Sequence, residues 1–412
     1  MDSNQRKSAE RALRGLGRRA EVAALARAAG KRGVAAWVVG GALRDRLLGV
    51  PTREIDVAVS RGAESLAADL EAAGLGRAVF VSRDRPGPRV FRVAGKRPLD
   101  IAELEGATIE GDLGRRDFTA NALALSLLSS EIVDPFGGLA DLARKRLRCV
   151  RAENLAEDPL RILRAARLLA THGLAPDRGV LAASRRAAAL FGRAAPERVG
   201  AELSKLLASP RAAPALAWAA SAGILPDALG RAMSRQRAAA LARGLSVLDD
   251  AGTRRMEPAR RRRLRVAWLA IRQGLSASGT RGWLRERRWS REETRDAARL
   301  GELVCASRTI RSRRDAWRWV LEAGALGEDA IALLARLGRD DRRRARALST
   351  VVRAPRRTVA VDGGDILRWL GLDAGPRVGE LLRDLRVAAA IGEVSDRRQA
   401  RSWLTGQVRA GL

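Results

Sequence analysis

The stretch Trp37–Gly62 reads WVVGGALRDRLLGVPTREIDVAVSRG. An apolar run ends at Gly40 and Gly41, a basic segment with helical spacing follows, and the run EIDVAV closes the stretch. This order predicts a strand, a glycine turn, a short helix and a second strand. A tight turn is one interpretation of the two glycines. The other is an anion site, because glycines let backbone N–H groups approach a phosphate and Arg44 adds a countercharge one turn into the helix.

The run EIDVAV carries two carboxylates on one side of the predicted strand. A period of two places its apolar residues on one face and Glu54 and Asp56 on the other. These residues are roughly 6–7 Å apart along the backbone, so their oxygens can converge on one or two divalent cations. Mg²⁺ prefers carboxylate oxygens together with substrate phosphates. A solvated strand face is the alternative for such a pair alone. Beside the predicted anion site, the pair indicates a site for a nucleoside triphosphate with Mg²⁺, and Asp100 in PLDIAEL offers a third carboxylate on a neighbouring strand.

The overall composition points to a polyanionic partner. The chain has 412 residues with 78 Lys and Arg against 47 Asp and Glu, a net charge of +31. Its hydrophobic content of 46% supports globular folding and excludes a disordered basic tail. Such a charge favours nucleic acid or an anionic membrane surface as a partner. Compositional drift toward Arg is the alternative, but drift explains Arg in place of Lys and not the excess over acidic residues.

Cysteine usage and the terminus favour a cytoplasmic, soluble protein. Cys149 and Cys305 are far apart and have no His or Cys neighbours at ligand spacing, which excludes a zinc knuckle or a disulfide framework and fits a reducing cytosol. The first twenty residues lack the apolar core of a signal peptide. No segment approaches the length of a membrane span, so we expect no membrane association. The sequence leaves the oligomeric state open.

Hydrophobic periodicity divides the chain into a mixed α/β part and a helical part. Five β-type runs, VAAWVV, IDVAV, AVFVS, RVFRVA and PLDIAEL, alternate with helical stretches up to about residue 150. The last two bracket Gly95 and Lys96 as a predicted hairpin, in which Pro98 favours an edge position. Helical spacing then continues to the C-terminus, with breaks near Ser209-Pro210 and Val352–Arg357. We therefore expect an α+β protein with a basic helical extension, an α/β head, a helical neck, a body and a tail: residues 1–32, 33–150, 151–210, 211–350 and 351–412.

Four motifs occur in order along the chain: VVGGALRDRLLG, DLGRRDFTANALAL, DPFGGLADLARKRLRCV and AEDPLRILRAARLLATHG. Together they closely resemble the class II tRNA nucleotidyltransferases, the family of CCA-adding enzymes and bacterial poly(A) polymerases. The match covers roughly residues 33–210, with a weaker one near the C-terminus. The resemblance implies a polymerase-beta-like nucleotidyltransferase head followed by an elongated all-α neck, body and tail. It also implies template-independent addition of CMP and/or AMP from CTP and ATP to tRNA 3′ ends, with Mg²⁺ as cofactor and release of pyrophosphate.

The resemblance also implies a role for residues of each motif. The triphosphate would bind at Gly40, Gly41 and Arg44. Glu54 and Asp56 would bind the metals, with Asp100 as the third catalytic carboxylate. The ribose and phosphates would contact Asp112, Arg115 and Arg116, and the base would contact Asp158, Arg161, Arg164 and Arg167.

The physics of the last motif supports base recognition independently. Asp158 before Pro159 is a good helix N-cap, and Arg161, Arg164 and Arg167 are spaced to form a row along one side of the helix. A carboxylate and a guanidinium together can imitate a Watson–Crick edge. The carboxylate accepts from the exocyclic amine of cytosine or adenine, and the guanidinium donates to ring acceptors. The alternative is a capped helix with a solvated Arg face.

Two departures from the family pattern bear on activity. Glu54 replaces the first Asp of the family's Asp-x-Asp, and its extra methylene moves the oxygens by more than an ångström. The segment between Asp100 and Asp112 is shorter than in many relatives, which favours a CC-adding enzyme. A poly(A) polymerase and a catalytically impaired RNA-binding relative are the alternatives. His172 is the only histidine, so the metal site of an HD phosphohydrolase domain cannot be built, and we expect a structural role for it.

The helical part carries the basic runs RRMEPARRRRLRVAW, RSRRDAWRW and RDDRRRARAL. Arg side chains on helices neutralise phosphates without reading sequence, so the runs together predict a surface for tRNA, contacting its elbow as well as the 3′ end. Each run alone is also typical of a solvated helix face. Trp317 and Trp319 could stack on bases, but core packing is the favoured interpretation.

Overall fold

The computed structural model describes residues 3–52, 54–81, 89–230, 233–355 and 357–409. The chain forms two compact units, Met1–Arg243 and Gly244–Leu412. The boundary lies inside the segment predicted as the body, and the finer division into neck, body and tail stays a prediction.

The first unit contains a mixed β-sheet. Its strands are β1 Ala36–Val39, β2 Ile55–Val59, β3 Arg77–Val81, β4 Val90–Ala94, β5 Leu99–Glu103, β6 Ala124–Ser126 and β7 Ile132–Val133. Their order in the described sheet is β3-β4-β5-β2-β1-β6-β7, with β2 and β5 parallel and the other neighbours antiparallel. All five predicted runs form strands, whereas β6 and β7 were not predicted. Two further short strands, β8 Arg146–Leu147 and β9 Ala175–Pro176, pair in parallel outside this sheet.

Helices account for most of the remaining chain, as the periodicity predicts. In the first unit they are α1 Ser3–Gly17, α2 Ala20–Arg32, α3 Gly41–Leu47, α4 Ala63–Ala72, α5 Ile109–Gly114, α6 Gly138–Ala143, α7 Asn154–Glu157, α8 Leu160–His172, α9 Arg178–Ala187, α10 Pro196–Ala208, α11 Ala212–Ala222, α12 Leu225–Leu229 and α13 Arg235–Gly244, which ends at the boundary. In the second they are α14 Ala251–Arg255, α15 Pro258–Arg272, α16 Ala277–Glu286, α17 Arg291–Ala306, α18 Arg313–Ala323, α19 Gly327–Leu337, α20 Arg339–Arg353, α21 Gly363–Leu370, α22 Pro376–Ile391 and α23 Arg397–Arg409.

The two faces of the large sheet are covered differently. Helix α4 packs against β3, β4 and β5 on one face and contacts α2. The other face carries an apolar cluster in which Val39 and Ala124 of the sheet meet Ile109 and Leu113 of α5. Because Val39 pairs with Asp56, the predicted carboxylates lie on this second face, next to α5. The sheet therefore separates a core side from a side that is only partly covered.

The predicted hairpin forms, but its proline does not mark an edge. Strands β4 and β5 pair antiparallel across Gly95–Pro98, with Val93 opposite Leu99. Strand β5 is an interior strand between β4 and β2. Pro98 precedes β5 and donates no ladder hydrogen bond, while its carbonyl accepts from the backbone N–H of Ile55. The edge expectation was wrong because the proline lies just outside the strand.

The N-terminal helices belong to the first unit. Helix α1 packs on α3, where Arg46 Nε donates to the Ala12 carbonyl at 3.1 Å. Helix α2 packs on α4, and Arg32 binds both carboxylate oxygens of Asp69 at 2.6 and 2.7 Å. Helices α1 and α2 are therefore held against α3 and α4 of the first unit.

In the helical part, the tryptophans set among arginines are core residues. Trp317 and Trp319 are buried in α18, and Trp319 Nε1 donates to the Leu303 carbonyl at 2.8 Å. The core interpretation of both is confirmed. The predicted breaks coincide with the ends of α10 at Ala208 and of α20 at Arg353. Among the described residues, no helix is long and apolar enough to cross a membrane.

Candidate active site

Strand pairing brings the three predicted carboxylates to one sheet face. Asp56 on β2 lies directly beside Asp100 on the parallel strand β5, and side chains of in-register neighbours project to the same face. Glu54 immediately precedes β2, two residues from Asp56, and its side chain is 63% exposed. The period-of-two prediction for EIDVAV is therefore confirmed, with Ile55 and Val57 buried on the opposite face.

Arg92 is a residue of this face that the sequence analysis missed. It lies on β4 opposite Asp100, and its Nε and Nη2 donate to the two Asp100 oxygens, both at 2.7 Å. Its Nη2 is also 3.9 Å from Glu54 Oε1. The hydrogen bond with Asp100 raises the pKa of the Arg92 guanidinium. The alternation in RVFRVA indicates which sheet face Arg92 occupies, but its partner Asp100 depends on the register of the hairpin.

The donor chemistry of this face fits a divalent cation bound together with a nucleotide. In the described parts of the chain, no three His, Cys, Asp or Glu side chains are grouped so that they could hold a metal ion by themselves. Both oxygens of Asp100 are engaged by Arg92. Glu54 and Asp56 are the other two predicted carboxylates of this face, and Mg²⁺ is commonly held by one or two carboxylates plus substrate phosphates. Their role as metal ligands stays a prediction.

The glycine turn between β1 and α3 brings two predicted nucleotide-binding motifs together. Gly40 has φ +72° and ψ −129°, and Gly41 begins α3. A Cβ on Gly40 would lie 2.5 Å from Nη1 of Arg116. Arg116 is oriented by Asp112, whose Oδ2 accepts from its Nη2 at 3.0 Å. The backbone conformation therefore favours glycine at position 40, and a Cβ there would displace the guanidinium of Arg116.

Helix α5 and the two residues that follow it contain Asp112, Arg115 and Arg116, which are predicted to contact ribose and phosphate. Asp112 Oδ1 accepts from the Glu105 backbone N–H at 3.3 Å, and Arg115 forms an ion pair with the Glu105 side chain. The apolar side of the helix, with Ile109 and Leu113, packs on the carboxylate face. Asp112, Arg115 and Arg116 are thus positioned beside the predicted metal site by the packing of one short helix.

Arg44 has internal partners. Its side chain is buried, with Nη2 and Nε donating to Asp45 Oδ1 at 2.6 and 2.9 Å and Nη1 donating to Asn121 Oδ1 at 2.5 Å. Burial lowers the pKa of its guanidinium. These contacts hold α3 against the segment Thr119–Asn121, and the predicted contact of Arg44 with a triphosphate stays a prediction.

Asp117 is a second residue that sequence reasoning missed, although it belongs to the motif DLGRRDFT. It is buried and accepts from Asn121 Nδ2 at 2.8 Å and from Arg164 Nη1 at 3.0 Å. Burial opposes its ionisation, but the charge of Arg164 and the hydrogen bond from Asn121 outweigh it, so its pKa is lowered. Asp117 therefore connects the head to helix α8 through a partly buried ion pair.

The predicted base-recognition pair lies where α7 meets α8. Asp158 Oδ1 accepts from the Leu160 N–H at the start of α8 at 3.3 Å, and Oδ2 accepts from Arg198 Nη2 at 2.8 Å. Arg161 Nη1 donates to the Asn154 carbonyl at 2.9 Å. The N-cap prediction for Asp158 was wrong, because α8 begins at Leu160 and Pro159 is at the N-cap position. Arg198 is a partner that the sequence did not indicate.

The other two arginines of the predicted row have structural partners. Arg164 is paired with Asp117, and Arg167 Nε donates to Glu202 Oε2 of α10 at 2.5 Å. Because these contacts fix α8 to the head and to α10, a direct contact of either residue with a base stays a prediction. Asp158 and Arg161 are the two members of the set at the N-terminal end of the helix.

His172 has the structural contact that we expected of it. Its Nε2 is 2.9 Å from Asp45 Oδ1, and its side chain is buried at the end of α8. Burial lowers its pKa, against the opposing effect of Asp45. Asp45 thus links Arg44 of α3 to the C-terminal end of α8.

Comparison with known proteins identifies the family. A family model described as the poly A polymerase head domain matches residues 36–148. The CC-adding tRNA nucleotidyltransferase of Geobacter sulfurreducens is 33% identical over 90% of this chain and 92% of its own length. The chain belongs to the class II tRNA nucleotidyltransferase family. This confirms the resemblance carried by the four motifs.

Relatives of this tRNA nucleotidyltransferase differ in the nucleotides that their names assign to them. The A-adding tRNA nucleotidyltransferase of Deinococcus radiodurans is also 33% identical, over 90% of this chain and 94% of its own. The crystal structure of the Bacillus stearothermophilus CCA-adding enzyme in complex with CTP superimposes with a TM-score of 0.70, 27% identity, and coverage of 95% of this chain and 98% of that one. The predicted fold, an α/β head followed by a helical region, is confirmed, whereas overall identity does not separate the specificities.

Proposed function

We propose that this nucleotidyltransferase adds CMP and/or AMP from CTP or ATP to the 3′ end of tRNA. The tRNA 3′ oxygen attacks the α-phosphorus, and the bond to the leaving pyrophosphate breaks. The observation that carries the proposal is the in-register pair Asp56 and Asp100 on the sheet face beside the Gly40 turn. When bound, Mg²⁺ would lower the cost of forming the attacking alkoxide and neutralise the leaving pyrophosphate.

The residues of the chain would bind and orient the reactants. Glu54 and Asp56 would hold the cation. The glycine turn and Arg116 would receive the triphosphate, since a backbone turn and a guanidinium together offer several N–H donors to phosphate oxygens. Asp158 and Arg161 would present an acceptor and donors to the Watson–Crick edge of cytosine or adenine.

We further propose CC addition as the specific reaction. The short segment between Asp100 and Asp112 supports this choice. Overall similarity does not, because the relatives named CC-adding and A-adding are both 33% identical over 90% of the chain. The test uses tRNA transcripts ending before the CCA, after its first C and after its second C, with CTP or ATP supplied separately. A CC-adding enzyme extends the first two with CTP and none with ATP. Addition of A to the third transcript would contradict CC specificity, and long A tails on unrelated RNA would identify a poly(A) polymerase.

The carboxylate assignment has its own test. We expect Asp56→Asn to lower nucleotide addition by at least about 100-fold, because a carboxylate holding the cation is lost, while tRNA affinity changes less than about threefold. Asp69→Asn is the matched control, since it removes one carboxylate from α4 on the other face. Near wild-type turnover in Asp56→Asn would exclude the metal assignment.

Glu54 decides between an active and an impaired enzyme. Glu54→Asp restores the pattern of the family. We expect the rate of this variant to stay within about tenfold of the wild-type rate, because Glu54 is exposed just before β2 and its side chain can adjust. A rise from undetectable activity to ready turnover would show that the natural chain is an impaired, RNA-binding relative.

A further inference from the structure

We propose that Arg92 is a positioning residue of the catalytic face: it competes with the divalent cation for Asp100, so that the face binds free metal weakly and is loaded together with the nucleotide. The inference rests on the proposed metal-dependent function, which it deepens. It concerns a residue that none of the four sequence motifs contains.

The geometry of the contact leaves Asp100 little freedom. The fork of Arg92 engages both carboxylate oxygens at 2.7 Å, a planar bidentate arrangement that is directional as well as strong. The pair is held at backbone level too, because Arg92 and Asp100 are opposite each other in the β4–β5 ladder. A cation that takes Asp100 as a ligand has to share or displace this fork.

The charge pattern of the sheet face explains why a guanidinium is there. The row of side chains that includes Arg92 runs across the sheet through Val79, Arg92, Asp100, Asp56 and Val39. Val79 and Val39 in this row are apolar, and Arg92 is its basic residue beside the two carboxylates. With Glu54 at 3.9 Å as well, Arg92 lies between two of the three carboxylates. It therefore offsets the repulsion that three close carboxylates would otherwise feel.

The arrangement has a consequence for metal binding. A divalent cation is attracted by the three carboxylates but repelled by the guanidinium that already lies among them. A triphosphate brings further negative charge and phosphate ligands, which favours the metal over Arg92 once nucleotide is present. Free cation alone does not have this advantage.

Direct metal titration tests the inference without relying on turnover. Mn²⁺ is titrated into the full chain, without nucleotide, and free Mn²⁺ is followed by electron paramagnetic resonance. We expect Arg92→Leu to bind Mn²⁺ about tenfold more tightly than wild type, since a unit charge roughly 6 Å from a divalent ion costs about that factor at the dielectric constant of water. Arg92→Lys keeps the charge but not the fork, and its affinity should lie between the two.

A matched variant controls for loss of charge elsewhere on the same strand. Arg89 precedes β4, contacts the rings of Phe80 and Phe91, and is paired with Glu64. Arg89→Leu should leave the Mn²⁺ dissociation constant unchanged. If Arg92→Leu does not fold, as judged by circular dichroism, Arg92→Gln carries the same test with a polar side chain.

The outcomes separate this inference from the proposed function. Tighter Mn²⁺ binding in Arg92→Leu than in wild type supports the competition, including the case in which wild type binds none. Equal or weaker binding, or no binding by either protein, overturns it. The proposed function is judged separately, by CTP or ATP incorporation into tRNA by the wild-type chain, and a failure there would leave the metal titration unaffected.

Discussion

At the scale of single residues, Asp158 combines two contacts that can be separated by mutation. One oxygen accepts from the Leu160 N–H at the start of α8, and the other binds Arg198. Neither contact explains why a carboxylate beside Arg161 should be needed for nucleotide selection, so the base-reading role requires a kinetic test. The glycine turn and the metal carboxylates can act on any triphosphate, and discrimination therefore has to come from residues that face the base.

We predict that Asp158→Ala weakens discrimination against UTP and GTP while triphosphate binding survives. A good hydrogen-bonded pair is worth about 1–3 kcal/mol of base discrimination, or roughly ten- to hundredfold. The measurement is kcat/KM for all four nucleotides on matched tRNA substrates. Asp177→Ala is the control, because Asp177 caps α9 through the Val180 N–H and the change removes only a cap. Equal loss of all four rates would leave Asp158 with a structural role only, at the start of α8.

His172 is the only histidine of the chain, and its titration should make stability depend on pH near neutrality. Because burial lowers the pKa of His172 below its unfolded value of 6.5, the folded state binds its proton less readily than the unfolded state does. The contribution of His172 to the free energy of unfolding is therefore fully present above about pH 6.5 and declines as the pH falls through that value. Asp45, whose pKa is lowered, titrates below 3.8 and stays ionised in this window.

We predict that His172→Gln flattens this part of the stability curve. The chain has no other histidine, so the change removes the only imidazole that titrates there. Urea unfolding followed by circular dichroism between pH 5 and 8 gives the free energy of unfolding of each protein. Parallel pH profiles for the variant and the wild type would exclude His172 as the source.

At the scale of elements, the turn between β1 and α3 joins the first sheet strand to the residues predicted to bind the nucleotide. Gly40→Ala should cost about 1–3 kcal/mol of stability, since an L-residue is strained at φ +72°, and should raise the KM for nucleotide because the new Cβ displaces Arg116. Gly49→Ala is the control: Gly49 has φ +70° with no atom within 4 Å of a built Cβ. An unchanged KM in Gly40→Ala would show that the position of Arg116 does not matter for nucleotide binding.

At the scale of the whole molecule, ion pairing cannot cancel the surplus of positive charge. In the second unit, Arg260 and Arg263 both bind the buried Asp329, yet each acid neutralises at most one base. Near the C-terminus, Arg398 and Arg401 line an open groove beside Trp369. These arginines lie in the segment predicted to bind tRNA.

We predict a steep loss of tRNA affinity between 50 and 200 mM salt, because each neutralised phosphate contributes about 0.9 to the slope of log K against log salt for duplex nucleic acid. The double variant Arg398→Ala, Arg401→Ala should reduce that slope by up to about 1.8 if both residues contact phosphates. Binding that does not respond to salt would mean that the charge of +31 reflects compositional drift.

Local patterns in the sequence determined much of the head. The period of two in EIDVAV identified β2 and the exposed side of Glu54 and Asp56, because alternation follows from strand geometry alone. The two glycines located the turn before α3, and helical spacing identified the long helical region. The short strands β6 and β7 escaped notice because two or three residues carry too little periodicity to stand out.

Only the tertiary structure decided which partners the charged residues have. The partners of Asp158 and His172 lie 40 and 127 positions away in sequence, at Arg198 and Asp45. Hairpin register placed Arg92 against Asp100, and burial paired Arg44 within the protein. A side chain's local sequence determines its face, but its partner depends on which distant segments pack beside it, and a single-chain pattern carries no signal for that packing.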